Sequence, residues 1–544
     1  MKPHRIGTWT AFLVVALSTC AFAAGKANPQ QPPRLVVQIT MDQLRADLLE
    51  RYAPAFTGGL RRLENDGYWI RHGRVDHALT VSFPGHATLA TGMYPSHHGL
   101  TANEWWVERD GKWREIDVSD DSAHRIVGAG EERVGASPRN LQAETLGEWI
   151  KRSNADARSI ALGTGTAIPI AYAGHRSDGA FWFDSRLNQF TTSTFYADAL
   201  PAWIVAFNRS ELPKFEKDTW ELTVAAEFRK LAPSAARSYN SRSAKFPHRY
   251  QEESTDGGHS ITLPQWFAST PLKDEALFAL ASRAVDAERL GQRQATDYLA
   301  IDVDATDSVG HEYGARSLEQ LDTLMRLDRA LGAFLQHLDS VVGAANYVLA
   351  VSADHGVADP AEEVPGGRWV NTADIESVLD EVESIAQRGD SIPDMRAAIV
   401  RKLKSTWFVA DAYTEEDLEH PGRDPYAQLY AHSFRPGYTP DFPLWSDKPR
   451  AFHPARYGIV VRFRENMTLH AATGVHGSPY DYDRDVPIVF FGRGIQRGSR
   501  ATGGRTVDVA PTLAQAAAIR APGRLDGRAL TFVLKPPTMH QTRR

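Results

Sequence analysis

The sequence predicts an α/β protein, a doubly wound and mostly parallel sheet carrying cap insertions. Three observations predict it. Short apolar runs rich in β-branched and aromatic residues recur along the chain. Helical periodicities fall between them. Residues able to do chemistry stand just past the ends of those runs. The runs are Leu35-Val36-Val37-Gln38-Ile39, Tyr298-Leu299-Ala300-Ile301, Tyr347-Val348-Leu349-Ala350-Val351 and Val486-Pro487-Ile488-Val489-Phe490-Phe491. They are nearly continuous rather than alternating, as expected of strands covered on both faces of a parallel sheet. Between the second and third, residues 317–338 place Leu321, Leu324, Leu327, Leu331, Phe334 and Leu338 three and four apart, which is one face of a helix. Strands alternating with helices make a doubly wound sheet.

Two long stretches do not follow that alternation. Residues 164–290 and 360–473 are irregular; the first carries Phe181-Trp182-Phe183, Trp203, Trp220 and Trp266. They are expected to cap the carboxyl edge of the sheet within one catalytic domain at 34–540. The 544 residues, 42% hydrophobic and 24% charged, suffice for a large core without disulfide or structural metal. A net charge of −6 with no lysine- or arginine-rich run argues against binding a nucleic-acid polymer.

The N-terminus reads as a targeting segment. Lys2, His4 and Arg5 precede an apolar stretch at 10–22, and Ala21-Phe22-Ala23 forms a cleavage site. Residues 1–23 are thus expected to be a signal peptide and 24–33 a flexible leader. The mature protein is expected to be periplasmic or secreted, without a stable membrane span, because the stretch is short for a bilayer. The single cysteine, Cys20, lies inside the segment, leaving the mature chain without a thiol. Leu17-Ser18-Thr19-Cys20 faintly resembles a lipoprotein box, but Thr19 fits it poorly, which favours the soluble form.

In open α/β sheets, sites form outside the carboxyl ends of strands. Here those ends offer Asp42, then Asp307 and His311, then Asp354 and His355, with His476 on a loop before the fourth run. Singly, an aspartate after a strand is more often a helix cap and a histidine more often a hydrogen-bonded structural residue. Together, three carboxylates and three imidazoles form the ligand set for two zinc-like ions. A further segment, Thr80-Val81-Ser82-Phe83-Pro84-Gly85-His86-Ala87-Thr88, reads as the start of a helix near Pro84. A hydroxyl just before such a start sits near backbone N–H groups, where a neighbouring zinc makes its alkoxide accessible. Without the metal set, Ser82 would read as a helix cap.

Asp42, the S-F-P-G-H-A-T-x-x-T-G run from Ser82, the segment from His98 to Asn103, D-S-V-G-H, A-D-H-G and V-H-G-S-P-Y-D-Y-D resemble the alkaline phosphatase superfamily. The resemblance is to its branch of nucleotide pyrophosphatase/phosphodiesterases and phosphate-irrepressible alkaline phosphatases, and its ordered motifs span Asp42 to Asp485. It implies an alkaline-phosphatase-like fold and two Zn2+, one held by Asp307, His311 and His476, the other by Asp42, Asp354 and His355. It also implies a nucleophile at Ser82, where the family usually has threonine. That residue lies 21 positions before a phosphoryl-binding asparagine, here Asn103 (103 − 82 = 21). Thr80 does not fit that spacing.

One departure bears on substrate. Monoesterases of the phosphate-irrepressible type carry a K-x-R pair ahead of an A-I dipeptide. In Leu162-Gly163-Thr164-Gly165-Thr166-Ala167-Ile168, glycines replace both cations. A monoester brings more negative charge than a diester, so the glycines favour phosphodiesters and are expected to leave room for a second ester group. The expected protein is an exported hydrolase of small phosphate esters working through a phosphoseryl intermediate, with alkaline phosphomonoesterase activity as the alternative. A sulfatase is the nearest competitor, but Ser82-x-Pro84-x-His86 lacks the arginine of the sulfatase motif. A non-catalytic binding module would be expected to have lost ligands, and all six are present.

Overall fold

The computed structural model describes residues 31–536 except 110–111, 235–236, 240–241, 257–258, 441–442, 445–447, 449 and 451. The expected signal peptide, Cys20 and most of the leader lie outside the described residues. Among the described residues, no helix is long and apolar enough to cross a membrane.

Among the described residues, nine strands form the central sheet: β1 (Leu35–Met41), β2 (Tyr68–Arg74), β3 (Ser159–Gly163), β4 (Gly179–Asp184), β5 (Gln189–Thr191), β6 (Asp297–Val303), β7 (Tyr347–Ser352), β8 (Asp485–Gly492) and β9 (Gly498–Arg500). Their order is β9-β2-β8-β7-β1-β6-β3-β4-β5. β1 lies at the centre, parallel to β6 and β7. Thr40 is level with Asp302 on one side and Ser352 on the other, so the carboxyl ends of all three strands finish together. Both faces are covered, as the continuous apolar runs require. Along β1, Leu35, Val37, Ile39 and Met41 enter one core and Val36 the other.

Four helices matter for the site: α1 (Ser82–Thr91), α2 (Leu272–Ala287), α3 (Ala305–Tyr313) and α4 (Leu318–Leu338). α1 packs on one face of the sheet through Phe83, Ala87, Leu89 and Ala90. α2 and α4 pack on the other. The expected helix at 317–338 is α4, with Ser317 as its N-cap accepting from the Gln320 amide. All six apolar residues of its stripe are buried, each contributing about 1.5–3 kcal/mol.

The structure corrects three expectations. The run at 486–491 is not parallel to its neighbours: β8 is antiparallel to both β7 and β2. An apolar run buried on both faces looks the same in either direction. The reversal puts the start of β8, and the loop bearing His476, at the edge where the parallel strands end. The stretch 164–290 is not all cap, because β4 and β5 extend the sheet and α2 joins the core beneath it. The aromatic Phe181-Trp182-Phe183 run belongs to a fully buried strand. Finally, α1 begins at Ser82 rather than at Pro84. Pro84 is tolerated because the first turn has no intrahelical acceptor for its missing N–H.

The second stretch, 360–473, forms a small unit with a core of its own. α5 (Thr372–Ala386) and α6 (Ile392–Lys404) pack against an antiparallel pair, Val409–Thr414 with Ile459–Phe463, around Ile375, Leu379, Ile399, Leu403 and Val461.

Candidate active site

The level strand ends deliver the six expected ligands to one place. Asp42 follows β1, Asp354 and His355 follow β7, Asp307 and His311 lie one turn apart on α3, and His476 comes from the loop before β8. They form one continuous cluster with His355 between two sets of partners, for its ligand atom lies against Asp42 and Asp354 and also within 4.8 Å of those of Asp307 and His476. His355 Nε2 lies 3.3 Å from both Asp42 Oδ1 and Asp354 Oδ2. Asp307 Oδ1 lies 3.1 Å from His311 Nε2 and 3.6 Å from His476 Nε2, and those two nitrogens are 3.3 Å apart. The groups adjoin, for the His355 and His476 rings stack with centroids 3.8 Å apart.

The backbone orients the three histidines. Nδ1 of His311 donates to the Gly474 carbonyl at 2.7 Å, that of His476 to Thr80 at 2.9 Å, and that of His355 to Gly356 at 2.9 Å. Each bond holds Nδ1 as the donor and turns Nε2 inward. Thr80 does more: its hydroxyl accepts from the Gly477 amide and donates to the Ser478 carbonyl, clamping the His476 loop.

Three atoms show that these residues fit a cation. Asp42 Oδ1, Asp354 Oδ2 and His355 Nε2 are buried without a hydrogen-bond partner, and they point at one another. Such a cluster is costly unless a positive charge joins it. Burial first, then Asp354 and Asp307, pushes Asp42 well above the usual carboxylate range. Burial opposes ionisation of Asp354, but His355 and His86 hold it down at about 2. In the second group, burial disfavours a charged His311, yet Asp307 outweighs it and lifts the ring to about 9. Burial, His355 and His311 drive His476 down to about 3, keeping its ring neutral.

Ser82 opens α1 beside this pair of triads. α1 comes so close to Asp354 that a Cβ at position 85 would sit 2.7 Å from the Asp354 Cβ and carbonyl oxygen, a contact only Gly85 allows. Asn103 accepts a hydrogen bond from the Phe83 amide through Oδ1 at 3.0 Å, which fixes its Nδ2 as the outward donor next to Ser82. His86, on α1 one turn after Ser82, is wholly buried. Its Nδ1 donates to the Ser82 carbonyl at 2.8 Å and lies 3.2 Å from Asp354 Oδ2, while Nε2 lies 2.9 Å from Asp302 Oδ1. Oxygen acceptors on both nitrogens make it an imidazolium rather than a ligand, although its ring is within 4.8 Å of the Asp42 and Asp354 oxygens. Burial works against that charge, but Tyr172, Asp354 and Asp302 raise His86 well above its ordinary value.

The sequence pointed to none of the roles of His86, Thr80 or Lys273. His86 stands four residues after Ser82, a helical spacing that puts both on one face, and it lies within the S-F-P-G-H-A-T run, but neither signal gave it a role. Lys273, on α2, had none. Its buried ammonium pairs with Asp304 and donates to Ser308 Oγ at 2.9 Å. Lys273→Met leaves the Asp304 carboxylate unpaired and is expected to destabilise the fold by about 3–5 kcal/mol. The thermal midpoint reports this, and adding Asp304→Asn should recover most of the loss; a midpoint unmoved by Lys273→Met refutes it.

The expectation that Gly163 and Gly165 leave open space is corrected. A Cβ at 163 would lie 2.5 Å from Asp302 Oδ2 and 2.7 Å from Pro169 Cγ, and one at 165 would lie 2.9 Å from the same carboxylate. The Asp302 side chain fills that volume. Space lies instead in two clefts that meet at His476. One, of about 480 Å³, has a largely apolar wall with Leu79, Val81, Ala102, Ile375 and Leu469, and Asn103 at its edge. The other, of about 580 Å³, is bounded by Ser308, His311, Arg242 and Ser269.

A family model described as type I phosphodiesterase / nucleotide pyrophosphatase matches residues 36–430. Over 94% of its length the chain is 27% identical to alkaline phosphatase PafA of Elizabethkingia meningoseptica, covering 96% of that protein. Over 92% of its length it is 28% identical to alkaline phosphatase PhoV of Synechococcus elongatus, covering 93%. The crystal structure of wild-type PafA superposes with a TM-score of 0.81 at 25% identity, across 93% of this chain and 99% of that one.

Proposed function

The chain belongs to the type I phosphodiesterase / nucleotide pyrophosphatase family and is a metal-dependent phosphoric ester hydrolase; from that premise we propose that it uses two Zn2+ and a phosphoseryl intermediate on Ser82. The observation that carries this reading is the convergence of two Asp/His triads beside the first residue of α1. Asp42, Asp354 and His355 would hold one ion, and Asp307, His311 and His476 the other. Bound there, the ions supply Lewis acidity that favours the Ser82 alkoxide and offsets charge on the departing oxygen. Ser82 Oγ attacks phosphorus, the bond to the leaving oxygen breaks, and the leaving group departs as an alcohol once protonated. Asn103 Nδ2 donates to a non-bridging oxygen as charge builds there. Water then attacks phospho-Ser82, the Oγ–P bond breaks, and the hydroxyl regains its proton.

Phosphodiesters fit this site best. Gly163 and Gly165 face the carboxylates of Asp302 and Asp304, and the nearby cations, His86 and Lys273, are paired with those carboxylates. The additional charge of a monoester therefore meets no partner on that side. The apolar cleft beside Asn103 suits the second ester group. Monoesters are the second reading, favoured by the alkaline phosphatases that the chain matches over more than nine-tenths of its length. Comparing kcat/KM for bis-p-nitrophenyl phosphate, p-nitrophenyl phosphate and p-nitrophenyl sulfate on zinc-loaded enzyme decides between them. The diester is expected to lead the monoester by about tenfold or more, the worth of one charge-assisted hydrogen bond. A monoester preference ends the diester reading, and a sulfate preference ends both.

The same reading takes residues 34–540 as one catalytic domain, capped from within 164–290 and 360–473. It takes 1–23 as a signal directing the enzyme to the periplasm or outside the cell.

A further inference from the structure

Gln43 reaches both triads at once. It follows Asp42 directly and is wholly buried. Its backbone amide donates to Asp354 Oδ1 at 3.2 Å. Its side-chain Nε2 donates to Asp307 Oδ1 at 2.5 Å and lies 3.2 Å from His311 Nε2. To do both, it adopts a φ of +60°, a left-handed conformation that disfavours a side chain. α3 passes close here, for a Cβ at Gly310 would lie 2.2 Å from Gln43 Oε1 and the carboxamide would have to turn. That Oε1 is buried without a hydrogen-bond partner, so the carboxamide is oriented by its Asp307 end alone. A disfavoured backbone angle and an unsatisfied oxygen accompany this contact.

We propose that Gln43 is a positioning residue that couples the two cation sites. Its backbone is tied to the Asp42/Asp354/His355 triad, and its carboxamide aims the Asp307 carboxylate of the other. It thereby sets the spacing between the triads and the affinity of the Asp307/His311/His476 triad for its ion. Partners of this kind, which orient a ligand without touching the metal, commonly govern affinity. The inference rests on the two-ion reading above.

The test is titration of metal-free protein with Zn2+ against a chromophoric chelator, for the native chain, Gln43→Asn and Gln43→Gly. Asparagine tolerates the left-handed backbone and keeps the amide but is one methylene too short to reach Asp307. Glycine relaxes the backbone and removes the side chain, which guards against a variant that fails through misfolding. The native chain is expected to bind two ions. Each variant should hold one with affinity within about threefold of native and the other about 10–100-fold more weakly. Two ions bound with native affinity in both variants would overturn the role of Gln43. So would equal weakening of both ions, which would mark general disruption. Fewer than two ions on the native chain would overturn the two-ion reading and this inference together.

Discussion

Ser82→Ala is expected to lower turnover at least about 1,000-fold, in line with the loss of a covalent nucleophile in other hydrolases. Zinc should remain bound, because the six ligands are untouched. The fold should be unaffected as well, since Ser82 is the first residue of α1 and the N-cap position before it is held by Val81. The rival hydroxyl is Thr80, two residues earlier. Its hydroxyl already accepts from Gly477 and donates to Ser478, so it is engaged in holding the His476 loop. Thr80→Ala would nevertheless lower activity by freeing the His476 loop, and rates alone do not separate the two residues. Acid-quenching the enzyme during turnover and mapping the phosphorylated peptide does. Phosphate on Ser82 supports the mechanism. Phosphate on Thr80, or native rates in Ser82→Ala, rejects it.

Removing metal is expected to have the other large effect. A chelator should abolish hydrolysis, and Zn2+ should restore it where Ca2+ does not. Three histidines among six ligands are a nitrogen-rich set that suits zinc, whereas calcium takes oxygen ligands. The metal-free protein should also be less stable. Without an ion, Asp42 and Asp354 are left buried around His355 Nε2 with no cation between them. An ion present at a thousand times its Kd contributes about 4 kcal/mol per site, which thermal denaturation of loaded and stripped samples can read. Full activity in protein shown by elemental analysis to hold no metal would refute the two-triad reading.

The ligand positions were legible in the sequence for a physical reason. Each stands within ten residues of an apolar run, and in a sheet of this class strand ends converge. The direction of β8 was not legible, because burial on both faces erases the alternation that would mark an edge or a reversal. The glycines at 163 and 165 show the complementary limit. A sequence records that two side chains are missing but not what takes their volume, and here that is Asp302. Lys273 was invisible for a third reason. It meets Asp304 across 31 residues, from a stretch whose irregular pattern suggested only a cap. Gln43 carried no signal either, because its role depends on a backbone angle.

The reversed strand has a consequence for how the protein is made. β8 is wedged between β7 and β2, so β2 waits for a partner synthesised more than 400 residues later (485 − 74 = 411). Asp307 waits a shorter time for His476 (476 − 307 = 169). At typical rates of translation the ribosome takes about 20–80 s to cover the gap between β2 and β8. During that interval the emerging polypeptide holds an incomplete half-sheet and one unfinished triad. Acquisition of the full ion pair is therefore one of the last events in its biogenesis, and a chain released early, however well its first strands have paired, has no active centre.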